Sequence, residues 1–106
     1  MYVSPKTNCP HVNNETFISI DNFAKINFGN EKCQNCDETK ENWICLICGK
    51  FFCSRYINSH FFEHYNQNNS HNVCLSLMDL SFWCYECDTY IANTVFIIYF
   101  KNILRH

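Results

Sequence analysis

The alternation of apolar and polar positions along the chain predicts five short strands. Each strand is indicated by a short run of β-branched and aromatic residues between turn residues. The runs lie at residues 43–46, 50–52, 73–78, 82–85 and 95–100. The first two flank Cys48 and Gly49, which is typical of a hairpin. The last run is the most apolar of the five and predicts a central, buried strand.

One segment after the hairpin has a helical pattern instead. Residues 55–65 show the i, i+3, i+4 spacing of an amphipathic helix, and Ser54 stands where its N-cap is expected. This helix would carry His60 and His64 one turn apart. The sequence therefore predicts that a single helix presents two imidazoles.

The rest of the chain predicts connections within one small domain. Apolar positions in residues 12–31 fit neither a helical nor a strand period, and residues 66–72 form a polar, Asn-rich turn. Two Gly and two Pro in 106 residues leave no room for a flexible linker between separate cores. We expect a loose N-terminal tail at residues 1–8 and one domain at residues 9–106. Its fold class would be α+β, with a twisted antiparallel sheet of about five strands and one or two helices.

Cysteine and histidine residues supply the most specific chemistry of the chain. Eight Cys and four His suit metal sites: Cys9, His11, Cys33, Cys36, Cys45, Cys48, Cys53, His60, His64, His71, Cys84 and Cys87. Structural zinc takes four thiolate or imidazole ligands in a closed tetrahedral shell, so these twelve complete three shells. Cys74 and His106 are left over. Because a small domain buries little apolar surface, three structural zinc ions are expected to hold the fold together.

Spacing indicates only in part which ligands share a metal. Three C-x2-C pairs are each typical of a knuckle that points two sulfurs at one metal: Cys33 and Cys36, Cys45 and Cys48, Cys84 and Cys87. The last pair needs two more ligands, and Cys9 and His11 are what remains for it. The other eight ligands stay open, with a cross-braced arrangement favoured. They resemble the start of a MYND-type finger or a RING domain, but neither family accounts for Cys9, His11, Cys84 and Cys87.

Composition and charge exclude several functions. Nine Cys is an odd number, and no apolar signal segment is evident, so reduced thiols in the cytoplasm or nucleus are expected. The longest apolar run, at residues 95–100, is too short to span a bilayer. A net charge of -2 with eight scattered Lys and Arg lacks the basic surface that nucleic-acid binding requires.

Histidine spacing does not predict a hydrolase. Two His one helical turn apart occur in catalytic zinc sites, but Phe61 stands where the general base Glu would be needed. Surrounding Cys would also saturate the metal and leave no position for water. Cys74 lies in an alternating apolar strand, which favours a buried, inert thiol over a nucleophile. We expect no catalytic residues and no enzyme activity in this chain.

From residue 9 to about residue 104 the sequence resembles the UBP-type zinc finger of ubiquitin-specific proteases, some ubiquitin ligases and a cytoplasmic histone deacetylase. The resemblance rests on CPH at 9–11, ENWICLIC at 41–48, CSRYINSH at 53–60 and DLSFWCYEC at 79–87, followed by Tyr90. It implies three zinc sets: set 1 with Cys9, His11, Cys84 and Cys87; set 2 with Cys33, Cys36, Cys53 and His60; set 3 with Cys45, Cys48, His64 and His71. Set 1 is the same group that spacing and elimination indicated above.

The resemblance also implies a receptor for the free C-terminal tail of ubiquitin, which ends in two glycines and a carboxylate. Flat aromatic rings can exclude side chains, while the carboxylate suits a guanidinium fork. The aromatic walls of the family are matched by Trp43, Trp83, Tyr85 and Tyr90. Arg55 matches the carboxylate-side cation and Tyr56 a neighbouring pocket residue. Ser54 stands where binding members usually have Gly, and its Cβ would narrow the slot.

Two other roles are compatible with the sequence. The chain could be part of a deubiquitinase or a ubiquitin ligase. It could also be a structural or regulatory finger with a blocked pocket, which mediates protein interaction without binding ubiquitin. Taken singly, Trp and Tyr are more often core than pocket, but their joint placement beside the knuckles favours tail binding. We expect a monomer with ubiquitin as its partner and without nucleic-acid or membrane partners.

Overall fold

The computed structural model describes residues 5–12, 16–26, 32–54, 57–77 and 80–104. Within them, the elements follow in the order α1 (Ile20–Ala24), β1 (Asn42–Cys45), β2 (Phe51–Cys53), α2 (His60–Gln67), β3 (Val73–Ser76), β4 (Phe82–Cys84), β5 (Thr89–Ile91) and α3 (Phe96–Leu104). The predicted α+β class with a five-stranded antiparallel sheet is confirmed. The described residues contain three helices, however, rather than one or two.

The sheet has the strand order β2-β1-β3-β4-β5, so the predicted hairpin forms one edge. Trp43 pairs with Phe52 in that hairpin. At the other edge Lys6 bridges β5: its N–H donates to the Tyr90 carbonyl (2.8 Å), and its carbonyl accepts from the Ala92 N–H (2.9 Å). The segment expected to be a loose tail is therefore attached to the sheet at Lys6.

Both faces of the sheet are buried because successive strand residues enter different cores. Ile44 and Leu75 join the larger core, which includes residues of α1 and α3. Trp43 and Cys74 face the other way and pack with Phe61 of α2 in the smaller core. No helix within the described part of the chain has the length and apolar character needed to cross a membrane.

The strand predicted at residues 95–100 is wrong, since this segment belongs to helix α3. Its burial follows a helical period: Phe96 and Tyr99 are buried, whereas Ile97 and Ile98 are 50% and 48% exposed. Phe96 stacks on Phe82 at 3.9 Å between ring centroids. A strand would have placed alternate residues on one face, which these exposures contradict.

The connection expected at residues 12–31 contains the short helix α1, which the sequence pattern did not predict. The Ser19 hydroxyl caps it by accepting from the Asn22 N–H at 3.2 Å. Phe23 is fully buried and meets Tyr99 of α3 edge to face at 4.9 Å. This pair of helices covers the sheet face opposite α2. Strand β5 was also missing from the sequence prediction.

The central helix was predicted at residues 55–65 but begins at His60 and ends at Gln67. Ser54 is not its N-cap. That position belongs to Ser59, whose φ of 59° is left-handed and therefore outside the helix. The N–H groups of Ile57 and Ser59 donate to the Ser54 carbonyl at 3.1 and 3.0 Å. Ser54 thus closes a turn before the helix, and the helix takes up the start of the predicted Asn-rich turn.

Candidate functional site

The twelve predicted metal ligands gather into three compact groups. Each group holds four donor atoms within 4.8 Å of one another. The groups consist of Cys9, His11, Cys84 and Cys87; of Cys33, Cys36, Cys53 and His60; and of Cys45, Cys48, His64 and His71. These are the memberships of sets 1, 2 and 3 as defined above, so the structure brings together the residues that the sequence analysis assigned to each set.

Set 1 joins the beginning of the domain to its C-terminal third. The Cys9 and Cys87 sulfurs are 3.6 Å apart, and His11 Nδ1 lies 3.4 Å from Cys84 Sγ and from Cys87 Sγ. Zinc bonds of about 2.3 Å to sulfur and about 2.0 Å to nitrogen imply tetrahedral edges of about 3.8 Å and about 3.5 Å. These distances fit one zinc ion. Lys6 adds a cation, with Nζ 3.6 Å from Cys87 Sγ.

Set 2 is built from a knuckle, the end of β2 and the start of α2. The Cys36 and Cys53 sulfurs are 3.8 Å apart, and His60 Nδ1 lies 3.4 Å from Cys33 Sγ and 3.3 Å from Cys53 Sγ. The Asn58 amide donates to Cys36 Sγ at 3.5 Å and lowers the pKa of that thiol to about 7. Three sulfurs and one imidazole at these separations also fit a closed zinc shell.

Set 3 combines the hairpin knuckle with helix α2 and the segment after it. Cys45 Sγ lies 3.5 Å from His71 Nδ1, and Cys48 Sγ lies 3.6 Å from His64 Nε2. The two imidazole nitrogens are 2.9 Å apart, somewhat closer than the about 3.3 Å of a tetrahedral edge between nitrogens. Two thiolates and two imidazoles form a common structural zinc shell.

Burial makes the more enclosed ligand thiols, such as Cys84 and Cys53, depend on a cation. Desolvation raises the pKa of Cys84 to about 12 and that of Cys53 to about 11. Only thiolates ligate zinc, so the ion has to offset the cost of ionising buried sulfur. Soft sulfur and imidazole donors in closed sets of four select zinc over hard cations such as magnesium or calcium.

Helix α2 supplies two of these imidazoles, but it gives them to different sets. His60 belongs to set 2 and His64 to set 3. His60 and His64 have the spacing of two zinc ligands in metalloproteases, but here they do not belong to the same metal set. Phe61, between them, is fully buried. Cys74 is buried as well, with its thiol donating to the Trp83 carbonyl at 3.7 Å, and burial raises its pKa well above the ordinary value.

An aromatic crevice of about 420 Å³ lies between α2 and the β4–β5 turn. Its lining residues are Trp43, Ser59, Phe62, Tyr65, Trp83, Tyr85 and Asp88. Three of them, Trp43, Trp83 and Tyr85, were predicted as pocket walls. Phe62 and Tyr65 were missed, although they lie three residues apart on one face of the predicted helix. Asp88 has a left-handed φ of 53° at the end of the turn.

The predicted walls take unequal positions in this crevice. Trp43 is only 7% exposed and belongs mainly to the smaller core, whereas Trp83 and Tyr85 are half-buried. Tyr90 is not among the lining residues. Its ring meets Trp83 edge to face at 4.9 Å, so it supports that indole from β5. Tyr85 is stacked on Phe61 at 5.4 Å, with 6° between the ring planes.

The remaining predicted pocket residues follow strand β2. Ser54 is fully buried and does not line the crevice, but its carbonyl accepts from the N–H of Ser59, which does. Arg55 and Tyr56 lie outside the described residues.

Comparison with known proteins gives a consistent family assignment. Residues 33–96 match the zinc finger described for ubiquitin hydrolases and other proteins. The chain is 43% identical over 96 residues to the NAD-dependent deacetylase sir2A of Dictyostelium discoideum, and 39% identical over 95 residues to histone deacetylase 6 of Caenorhabditis elegans. These alignments cover 89% and 90% of the chain, but only 18% and 9% of the two relatives.

A solved structure shows the same fold. The SAGA Ubp8/Sgf11/Sus1/Sgf73 DUB module superposes with a TM-score of 0.56 at 25% identity. The superposition covers 87% of this chain and 22% of the matched chain. In all three matches, the similar region is a small part of a much longer polypeptide.

Proposed function

Since this chain belongs to the family of zinc fingers in ubiquitin hydrolases and other proteins, we propose that it is a non-catalytic, three-zinc module that binds the free C-terminal Gly-Gly carboxylate tail of ubiquitin. Zinc would be held by sets 1, 2 and 3 and would fix the sheet, helix α2 and the segment around Cys9 and His11 relative to one another. Its role is structural, because four protein ligands per ion leave no position for a reacting water.

The aromatic crevice is the observation that carries the proposal. Trp83 and Tyr85 project from β4 and its following turn toward α2, with Trp43 behind them. A glycine pair has no side chains, so it can pass between flat rings that would reject bulkier residues. Such a slot selects a diglycine end by shape.

The carboxylate gives the proposal its second element. Arg55 would pair with it through the guanidinium fork, and Tyr56 would border the same pocket. Ser54 would act indirectly, because its carbonyl accepts from the Ser59 N–H and so helps to place Ser59 at the crevice. A tail already joined to lysine lacks the terminal charge and continues past the glycines, so conjugated ends would be rejected. With so few contacts, we expect micromolar affinity.

A structural finger with a blocked pocket is the second candidate, and the 7% exposure of Trp43 favours it in part. In that case the same zinc sets would present another protein surface. The chain spans 18% and 9% of the deacetylases it matches, so it could act as one module of a larger enzyme. For either role we propose a monomer in the cytoplasm or nucleus, where thiols stay reduced.

Fluorescence polarisation with a labelled peptide ending in Gly-Gly tests the proposal. We expect the free-carboxylate peptide to bind the zinc-loaded protein and the C-terminal amide to bind at least about tenfold more weakly, because the charge-assisted hydrogen bonds are lost. Arg55→Ala should weaken binding similarly, while Lys101→Ala, which removes an exposed cation on α3, should not. Equal affinity for acid and amide would reject tail recognition and favour the blocked finger.

A further inference from the structure

The width of the crevice depends on two elements that are distant in the chain. Phe62 and Tyr65 line it from α2, while Tyr85 and Asp88 line it from the β4–β5 turn. Contacts that hold helix and turn together therefore decide whether the crevice has its binding shape before a ligand arrives. A slot that is already shaped loses less conformational entropy when it binds.

Tyr65 joins these two elements through both its ring and its hydroxyl. The ring stacks on Tyr85 with centroids 5.2 Å apart and 19° between the planes. The hydroxyl donates to Glu86 Oε1 at 2.5 Å, on the residue directly after Tyr85. Phe61, one helical turn before Tyr65, stacks on the same Tyr85 ring. One wall of the crevice is thus held by two rings and a charge-assisted hydrogen bond.

The backbone on each side of this contact is tied to a metal set. His64 of set 3 precedes Tyr65, and Cys84 and Cys87 of set 1 enclose Tyr85 and Glu86. The Tyr85 N–H also donates to the Asn72 carbonyl at 2.8 Å, which fixes the turn. With the backbone held on both sides, the remaining freedom lies in the side chains, where Tyr65 acts.

We propose that Tyr65 is a positioning residue: by donating to Glu86 and stacking on Tyr85, it holds α2 and the β4–β5 turn together and keeps the crevice from widening before the ligand binds. The consequence for tail affinity rests on the proposed function. The consequence for the free crevice does not, so the two can be tested separately. Glu86 then acts through Tyr65 rather than through a charge contact of its own with the ligand.

Four variants separate these roles of the pair. Tyr65→Phe keeps the ring and loses the hydrogen bond; Glu86→Ala removes the acceptor; the double variant removes both partners; Glu86→Gln keeps a carbonyl acceptor and loses the charge. Both tryptophans of the chain line the crevice, so acrylamide quenching of their fluorescence reports on its opening without any ligand. Metal content and far-UV circular dichroism verify that each variant is folded and zinc-loaded.

We expect Tyr65→Phe and Glu86→Ala each to increase quenching and to weaken binding of the Gly-Gly peptide by about threefold to tenfold. The double variant should be no weaker than either single variant, because both break the same contact. Glu86→Gln should weaken binding less than Glu86→Ala does, because its neutral carbonyl still accepts the hydrogen bond. Tyr99→Phe is the matched control: its hydroxyl donates to the Ile18 carbonyl at 2.8 Å in the larger core, so its loss should leave quenching and affinity unchanged.

The inference is overturned if Tyr65→Phe leaves quenching at the wild-type value. It is likewise overturned if the losses of affinity in the two single variants add up in the double variant. It is also overturned if Glu86→Gln weakens binding as much as Glu86→Ala, which would make Glu86 a direct charge contact. Should the wild-type protein not bind the peptide at all, the proposed function fails. The quenching of the free variants then still decides whether Tyr65 shapes the crevice.

Discussion

Two neighbouring phenylalanines on α2 provide a stringent test of how the smaller core supports the site. Phe61 is fully buried and Phe62 is 46% exposed. Phe61 contacts the rings of Phe52 at 5.8 Å, His64 at 5.7 Å and Tyr85 at 5.4 Å. Replacing Phe61 with Ala therefore leaves a cavity between the sheet, set 3 and the crevice wall.

We expect Phe61→Ala to lower the free energy of unfolding by about 3 to 5 kcal/mol, the usual cost of deleting a buried aromatic ring. That is a large part of the about 5 to 15 kcal/mol that stabilises a typical domain. Phe62→Ala should cost less than about 1 kcal/mol, because half of its side chain already faces water. As a crevice residue, Phe62 should affect ligand binding more than stability.

Urea unfolding followed by circular dichroism measures the difference, with the free zinc concentration buffered at one value because bound metal contributes to stability. Tail-peptide affinity is measured on the same samples. If Phe62→Ala destabilises as much as Phe61→Ala, the assignment of the two faces of α2 is wrong. If Phe61→Ala costs less than about 1 kcal/mol, the smaller core does not support the site as described.

Three further perturbations follow from single contacts. Gly49→Ala strains a φ of +75° and brings the new Cβ to 2.6 Å from Ile18 Cδ1, so we expect a loss of about 1 to 3 kcal/mol in thermal melts; an unchanged melt would contradict this. Burial raises the pKa of Cys74 above its ordinary value of 9.0, so an alkylating reagent at pH 9.0 should not modify Cys74 until the protein is denatured. Peptide mass spectrometry that finds Cys74 alkylated in the native protein would disprove its burial. Lys6→Met removes the cation beside Cys87 Sγ and should speed the transfer of one zinc ion to a chromogenic chelator, whereas Lys6→Arg should not; identical rates for all three proteins would show that the contact is unimportant.

The twelve metal ligands could be predicted from the sequence, and set 1 could also be grouped from spacing because zinc knuckles are local. A C-x2-C pair brings two sulfurs together wherever it occurs, and elimination then assigned Cys9 and His11 to Cys84 and Cys87. The other eight ligands could not be paired by spacing, since neighbouring C-x2-C pairs enter different sets. Their grouping followed only from the family resemblance.

Helix α3 was mistaken for a strand because its composition and its burial period give opposite indications. Its first residues are β-branched and aromatic, as in a strand. Its exposed Ile97 and Ile98 lie between the buried Phe96 and Tyr99, and that spacing is helical. The packing of Tyr99 against Phe23 involves residues far apart in the chain, so no local pattern could reveal it.

Only the sheet side of the crevice could be predicted from the sequence. Its β4 side follows directly from the residues around Cys84, which carry the family motif. Its α2 side depends on tertiary packing, and the left-handed conformation of Ser59 places that residue before the helix, at the rim of the crevice. Phe62 and Tyr65 lie on one helix face wherever the helix begins, and only the packing of that face against the β4–β5 turn makes them crevice residues.

Recognition of a free diglycine carboxylate is the central claim, and isothermal titration calorimetry of the zinc-loaded protein tests it most directly. Two ligands are compared under identical conditions: intact ubiquitin, and ubiquitin that lacks its last two glycines. We predict saturable binding of intact ubiquitin with a micromolar Kd and no measurable heat with the truncated form. Equal heats for the two ligands, or no binding of either, would contradict the account.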